Sequence, residues 1–190
     1  MIPAFWMVIH PFAEFWRARR RNPYGLLLAF SIILWTVVTL LTSPWRHLRL
    51  YALPITWLPA GVLFAAGIWI YRRAGAGFSW SQLGGLPEVR GEVREKVREP
   101  GAAPPRFVTT GIRARMRHPI YLGHLCEMLA WSLGSGLAVC YGLTAFAMAT
   151  GAIMIVMEDR ELEQRFGADY RRYKENVPAI FPGRSFYRAE

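Results

Sequence analysis

Two charged motifs bracket the longest apolar stretch of the chain. Arg117-His118-Pro119-Ile120-Tyr121-Leu122-Gly123 opens it, and Glu158-Asp159-Arg160-Glu161-Leu162 closes it. Pro119 suits the first turn of a helix, where its missing N–H costs nothing. A helix starting there presents free N–H groups beside Arg117 and His118, a combination that favours a carboxylate or a phosphate. Tyr121 follows one turn later, and Gly123 lets a ligand or a helix approach the backbone. The plainer reading of Arg117 is an anchor on lipid phosphates. At the other end, Glu158 and Asp159 stand where an apolar helix emerges, with little counter-charge around them. Carboxylates in that position suit an ammonium group or the hydroxyls of a ribose. The plainer alternative is a polar helix exit with Glu161 and Arg165 as an i,i+4 pair.

A third set lies inside the apolar stretch. Tyr121, His124, Glu127 and Trp131 are spaced by three and four, which places them on one face of a helix. An acid two to three turns into a membrane helix costs about 3 kcal/mol or more unless it meets a cavity or a partner. Glu127 is therefore a candidate for chemistry, or else it pairs with His124 inside the bundle. Cys126 and Cys140 have no CxxC or other metal spacing and read as packed thiols. No metal site is expected.

The elements that must hold these residues follow from hydropathy. The run from 120 to 157 is about twice the length that crosses a bilayer once, so it predicts two helices folded back on each other. Gly134-Ser135-Gly136 is the turn between them. Spans are expected at 24–42, 50–71, 120–134 and 137–157, with Pro54 and Pro59 kinking the second or delaying its start. Small residues along the last span (Gly142, Ala145, Ala149, Gly151) would allow close helix packing. Residues 1–16, rich in Phe and Trp, read as an interfacial segment without the basic start of a signal peptide. Residues 72–117 form a hydrophilic loop with a charged repeat, Val89 to Pro100. Residues 158–190 form a polar tail with an amphipathic helix. The fold class is an all-α polytopic membrane helical bundle in a single domain, 1–190, with about four spans and a C-terminal helix closing over the hairpin.

Composition agrees. A hydrophobic share of 53% and a positive mean hydropathy stand beside a net charge of +10, which suggests apolar spans in lipid and basic loops in water. The basic residues lie beside apolar spans and not along a polar face, which argues against nucleic acid. Of the 23 Lys and Arg, four spans would put all but Arg46 and Arg49 on one side. Positive residues stay inside, so both termini and both charged motifs are predicted to face the cytoplasm, in a bacterial or archaeal cytoplasmic membrane.

The motifs resemble a known family. RHPxYxG at 117–123, the two-carboxylate exit at 158–159, Leu162, Phe166-Gly167, Tyr170, Tyr173 and Val177-Pro178 are similar to the isoprenylcysteine carboxyl methyltransferases and the related phospholipid methyltransferases. The resemblance covers roughly 107–182. Asp159 stands where the family commonly has Glu, and His124 and Glu127 stand where its eukaryotic enzymes carry aromatics. The resemblance implies an integral membrane enzyme that uses S-adenosylmethionine to methylate a membrane lipid or lipidated substrate, either a carboxylate or an amine. It implies that Arg117 and His118 hold the cofactor's carboxylate. Tyr121, Leu122 and Gly123 would line the pocket, and Glu158 with Asp159 would contact its amino or ribose groups. Arg117, Glu158 and Glu127 are then the catalytic candidates. His124, Glu127, Tyr170 and Tyr173 are the substrate-binding candidates. A membrane sterol reductase using NADPH and a non-catalytic membrane scaffold are the alternatives.

Overall fold

The computed structural model describes residues 24–75 and 107–183. The expected interfacial segment 1–16, the charged repeat 89–100 and the chain beyond 183 lie outside the described residues. Two units divide the chain, at Leu41 and again around the 77–106 segment. In the first unit, helix α1 (Tyr24–Thr42) has the bounds its hydropathy predicts. It carries no charged side chain. Thr36 donates its hydroxyl to the Ile32 carbonyl at 2.9 Å, so the helix satisfies that polar group internally.

The second unit holds the charged motifs. Its first long helix, α2, spans Trp57–Gly75, later than the apolar run that begins at Leu50. Proline sets that delay. Leu53, before Pro54, is extended at φ −109°, ψ 113°, as pre-proline sterics demand. A 3-10 turn over Pro54–Thr56 follows, and Pro59 lies in the first turn of α2, where no N–H bond is lost. Arg72 and Arg73 sit in the last turn of α2, opposite the negative end of the helix dipole.

Helix α3 spans Pro119–Ser135 and has 17 residues, about 25 Å at 1.5 Å per residue. Gly136 ends it in the left-handed region at φ 63°. Helix α4 runs Ala138–Phe166, 29 residues, about 43 Å. Its length carries Glu158 and Asp159 past the apolar part on the same continuous helix. Gly167 breaks it at φ 60°, ψ −128°, a conformation open to glycine. Helix α5 (Ala168–Asn176) then folds back. Helices α1, α2 and α4 are long and apolar enough to cross a membrane; α3 is the shortest of the four apolar helices and carries His124 and Glu127. Among the described residues there is no β-strand.

Packing is tightest between α2 and α3. A Cβ on Gly67 would come within 3.1 Å of the Gly123 carbonyl, and a Cβ on Gly123 within 2.7 Å of the Tyr71 ring. Small residues here let two backbones approach, as in membrane helix pairs generally. The expectation that Gly142 and Gly151 do this in α4 is not met at Gly142, which has no near neighbour among the described residues; Gly151 meets Tyr121 at 3.7 Å, an ordinary contact. The α3–α4 pair is pinned by the Ser132 and Thr144 hydroxyls, 2.9 Å apart and buried.

The turn end of the hairpin is strapped by the chain before α2. Leu50 N–H donates to the Gly136 carbonyl at 2.8 Å, and Ala138 N–H to Leu48 at 3.0 Å. Tyr51 donates to the Leu133 carbonyl and lies 2.5 Å from the Tyr141 hydroxyl. Trp57 packs edge-on against Trp131. Outer faces of α2 and α4 remain apolar and exposed, with Val62 at 71% and Phe146 at 62%. Such faces suit the hydrocarbon of a bilayer.

Candidate functional site

Asp159 is the centre of the charged end. Its carboxylate takes Arg117 Nη2 at 2.8 Å and Arg117 Nε at 3.4 Å, a two-pronged contact. It also takes His118 Nε2 at 2.8 Å and the Tyr170 hydroxyl at 2.5 Å. Both Asp159 and His118 are buried. Arg117 uses its remaining Nη1 donors on the carbonyls of Lys174, at 2.9 Å, and Val177. The backbone repeats the tie, with Arg117 N–H to Pro178 and His118 N–H to Ala179. One guanidinium thus joins the start of α3, the end of α4 and the chain after α5. Burial opposes the charge on His118, but the bond to Asp159 and the charge of nearby Glu158 outweigh it and raise its pKa above the usual 6.5. Burial pushes the Tyr170 phenol up, and the adjacent Asp159 charge adds to it.

The tail tyrosines belong to this core. Tyr170 and Tyr173 are 1% and 2% exposed and pack with Val177 against Phe107, Leu162 and Phe166. Phe107 lies 5.1–5.4 Å from the rings of Phe166, Tyr170 and Tyr173. Tyr173 donates to the Arg113 carbonyl at 2.6 Å.

Next to this network two polar atoms remain open. Glu158 Oε2 is buried with no hydrogen-bond donor; the nearest charged group is His118 Nδ1 at 3.5 Å. The Tyr121 hydroxyl is also buried without a partner. Its ring lies beside His118 and Gly151. Buried polar atoms are normally paired, so these two atoms, on α3 and α4, have capacity for a further polar partner.

A second polar cluster sits between α2 and α3. The Tyr71 hydroxyl donates to Glu127 Oε2 at 3.0 Å and is shared with His124 Nδ1. His124 Nδ1 and Glu127 Oε2 are 4.0 Å apart. His124 Nε2 is buried and unpartnered. The face predicted for Tyr121, His124, Glu127 and Trp131 is therefore divided: Tyr121 looks to α4, while His124 and Glu127 look to α2. Gly123 is closed by Tyr71, so the neighbour it admits is a helix. Leu122 follows Tyr121 in the first turns of α3. Among the described residues no group of three or more His, Cys, Asp or Glu could hold a metal ion.

Comparison with known proteins finds likenesses over part of the chain. Over 104 residues, 54% of this chain and 34% of the relative, it is 36% identical to methanethiol S-methyltransferase 1 of Bradyrhizobium diazoefficiens. It is 35% identical over 82 residues to protein-S-isoprenylcysteine O-methyltransferase B of Arabidopsis thaliana, covering 40% of each chain. Over that stretch the chain is similar to the isoprenylcysteine methyltransferases. It spans between a third and two-fifths of the length of these named relatives. An uncharacterized protein of Haemophilus influenzae is 37% identical over 59 residues, 94% of its own length. No family model and no solved structure matches. Kinship with these methyltransferases and three helices able to cross a bilayer make this an integral membrane protein of all-α fold.

Two residues of these clusters carry no signal in the sequence. Tyr71 is one tyrosine at the end of an apolar run. Phe107 is one aromatic beyond a proline-rich linker. Only the fold shows what each of them touches.

Proposed function

We propose that the chain is a membrane methyltransferase that binds S-adenosylmethionine where Tyr121 and Glu158 meet. The observation that carries this reading is the pair of buried, unpartnered atoms, Glu158 Oε2 and Tyr121 Oη. The donor set fits the cofactor. A carboxylate accepts from the ammonium or ribose hydroxyls, and a phenol can accept or donate. The cofactor supplies a methyl group on a sulfonium.

The residues drawn from the family pattern then divide by what they can still bind. Glu158, Tyr121 and the edge of His118 face the ligand, with the adjacent Leu122 backbone. Arg117 and Asp159 shape the site by locking the tail over it. The protein's part is alignment and exclusion of water, which together supply much of the rate of such a transfer. Glu158 holds the donor against the end of the hairpin. The charged end faces the cytoplasm, where most Lys and Arg lie, and the acceptor enters from the bilayer along the apolar helix faces. The named relatives transfer to a sulfur or to an oxygen, and the acceptor here belongs to those classes or to lipid amines.

Calorimetry on the detergent-purified chain tests this. S-adenosylmethionine or its homocysteine product should bind with micromolar affinity. Glu158→Ala should weaken binding about ten-fold or more through loss of a charge-assisted bond. Heat with NADPH and none with either sulfur compound would make the protein a reductase instead.

A further inference from the structure

We propose that Tyr71, His124 and Glu127 form a relay that makes His124 Nε2 the proton acceptor for a protic methyl acceptor, a thiol. The inference rests on the methyltransferase reading above and extends it to the substrate. A carboxylate can only accept hydrogen bonds, and a tyrosine hydroxyl has one proton to give. Tyr71 gives it to Glu127 Oε2 at 3.0 Å. The Tyr71 oxygen must then accept from His124 Nδ1, its other neighbour. A neutral imidazole protonated at Nδ1 carries its lone pair on Nε2, and Nε2 is the buried atom without a partner. Three side chains on two helices thus fix one tautomer and leave its basic atom open. His124 is one turn past Tyr121, about 4.5 Å further along α3.

The chemistry selects the acceptor. A carboxylate is already ionised and gains nothing from a base. A protonated amine would have to enter among apolar helices as a cation. A thiol enters neutral and reacts as the thiolate. Its proton passes to Nε2 and its sulfur pair forms the new bond to the methyl carbon. The carbon–sulfur bond of the sulfonium breaks, with its pair leaving on S-adenosylhomocysteine. The sulfonium charge is replaced by an imidazolium, steadied by Glu127, 4.0 Å from Nδ1. His124 is the catalytic residue here; Tyr71 and Glu127 position it.

The test uses the full chain in detergent with nitrogen-15 histidine. His124 Nε2 should resonate as an unprotonated ring nitrogen and move when a long-chain alkanethiol is added with S-adenosylhomocysteine. Tyr71→Phe should mix the tautomers. A protonated Nε2 in the wild type overturns the relay. In methyl transfer, His124→Asn should lose about a hundred-fold on alkanethiols with cofactor affinity unchanged. Tyr71→Phe should lose about ten-fold and move the acid limb of the pH–rate profile; imidazole should partly rescue His124→Gly. Unchanged thiol turnover in the folded Tyr71 variant, or preference for a fatty carboxylate or an amine over the thiol, also overturns it. If cofactor binding holds while these fail, the relay alone is wrong. A wild type that binds no S-adenosylmethionine removes the methyltransferase reading and the relay together.

Discussion

The cluster at Asp159 and the cluster at His124 each hold a tyrosine, a histidine and a carboxylate, yet have opposite characters. Around Asp159, donors from Arg117, His118 and Tyr170 converge until the buried carboxylate is fully served. Around His124, a phenol, an imidazole and a carboxylate meet with one ring nitrogen left over. A closed polar network holds structure together, and an open one has a valence for something else. The adjacent Glu158 makes the point at one residue's distance. On a helix, neighbours point about 100° apart, so Asp159 faces the tail while Glu158 keeps a free oxygen.

The largest expected effect comes from breaking the closed cluster. Arg117→Ala takes from Asp159, with a side chain only 7% exposed, its two-pronged partner and leaves His118 as the remaining cation, and should cost about 3 kcal/mol. Thermal unfolding in detergent should show the loss, and proteolysis should cut after α5 more readily. A wild-type melting temperature would mean that Arg117 does not hold the tail. Gly123→Ala strikes the open cluster by steric means. Its Cβ would meet the Tyr71 ring at 2.7–3.0 Å, an overpacking worth about 1–3 kcal/mol. Thiol turnover should fall with it, while the Asp159 network should stay intact.

Glu158→Ala should separate the two carboxylates. A ten-fold loss of cofactor affinity is about 1.4 kcal/mol, and it should come with little change in melting temperature. Destabilisation comparable with Arg117→Ala would instead put Glu158 in the closed network. The smallest effect is in pH. His118 is raised above 6.5 because Asp159 and Glu158 outweigh burial, so the folded state binds its proton more tightly than the unfolded one. The stability this supplies is full below pH 6.5 and is lost as pH rises through the raised value. The melting-temperature gap between wild type and His118→Gln should shrink on that rise; a gap constant with pH would show that His118 is neutral.

Much of this was legible in the chain. Charge-free runs and glycine or proline signals locate α1, the α3 start at Pro119 and the turn at Gly134–Gly136, because lipid demands long apolar helices whatever else they contact. Pro54 and Pro59 signalled a delayed start for α2, but not the strap before it: Leu50 to Leu53 is as apolar as a span, and its backbone pairing at Leu48 and Leu50 with Ala138 and Gly136 appears only in the fold. The charged motifs announced themselves by type and spacing. Which member is closed and which is open depends on tertiary partners, so Asp159 and Glu158 looked alike, and Tyr170 and Tyr173 read as possible substrate contacts although both pack in the tail core. Tyr71 escaped notice because its partners are more than 50 residues away.

The bonds from Arg117 and His118 to Val177, Pro178 and Ala179 also make the charged end depend on the chain after α5. A chain cut before Val177 keeps both helices of the hairpin and loses all three of these acceptors. The charged end would then keep its acids and bases and lose the stretch of tail that closes it.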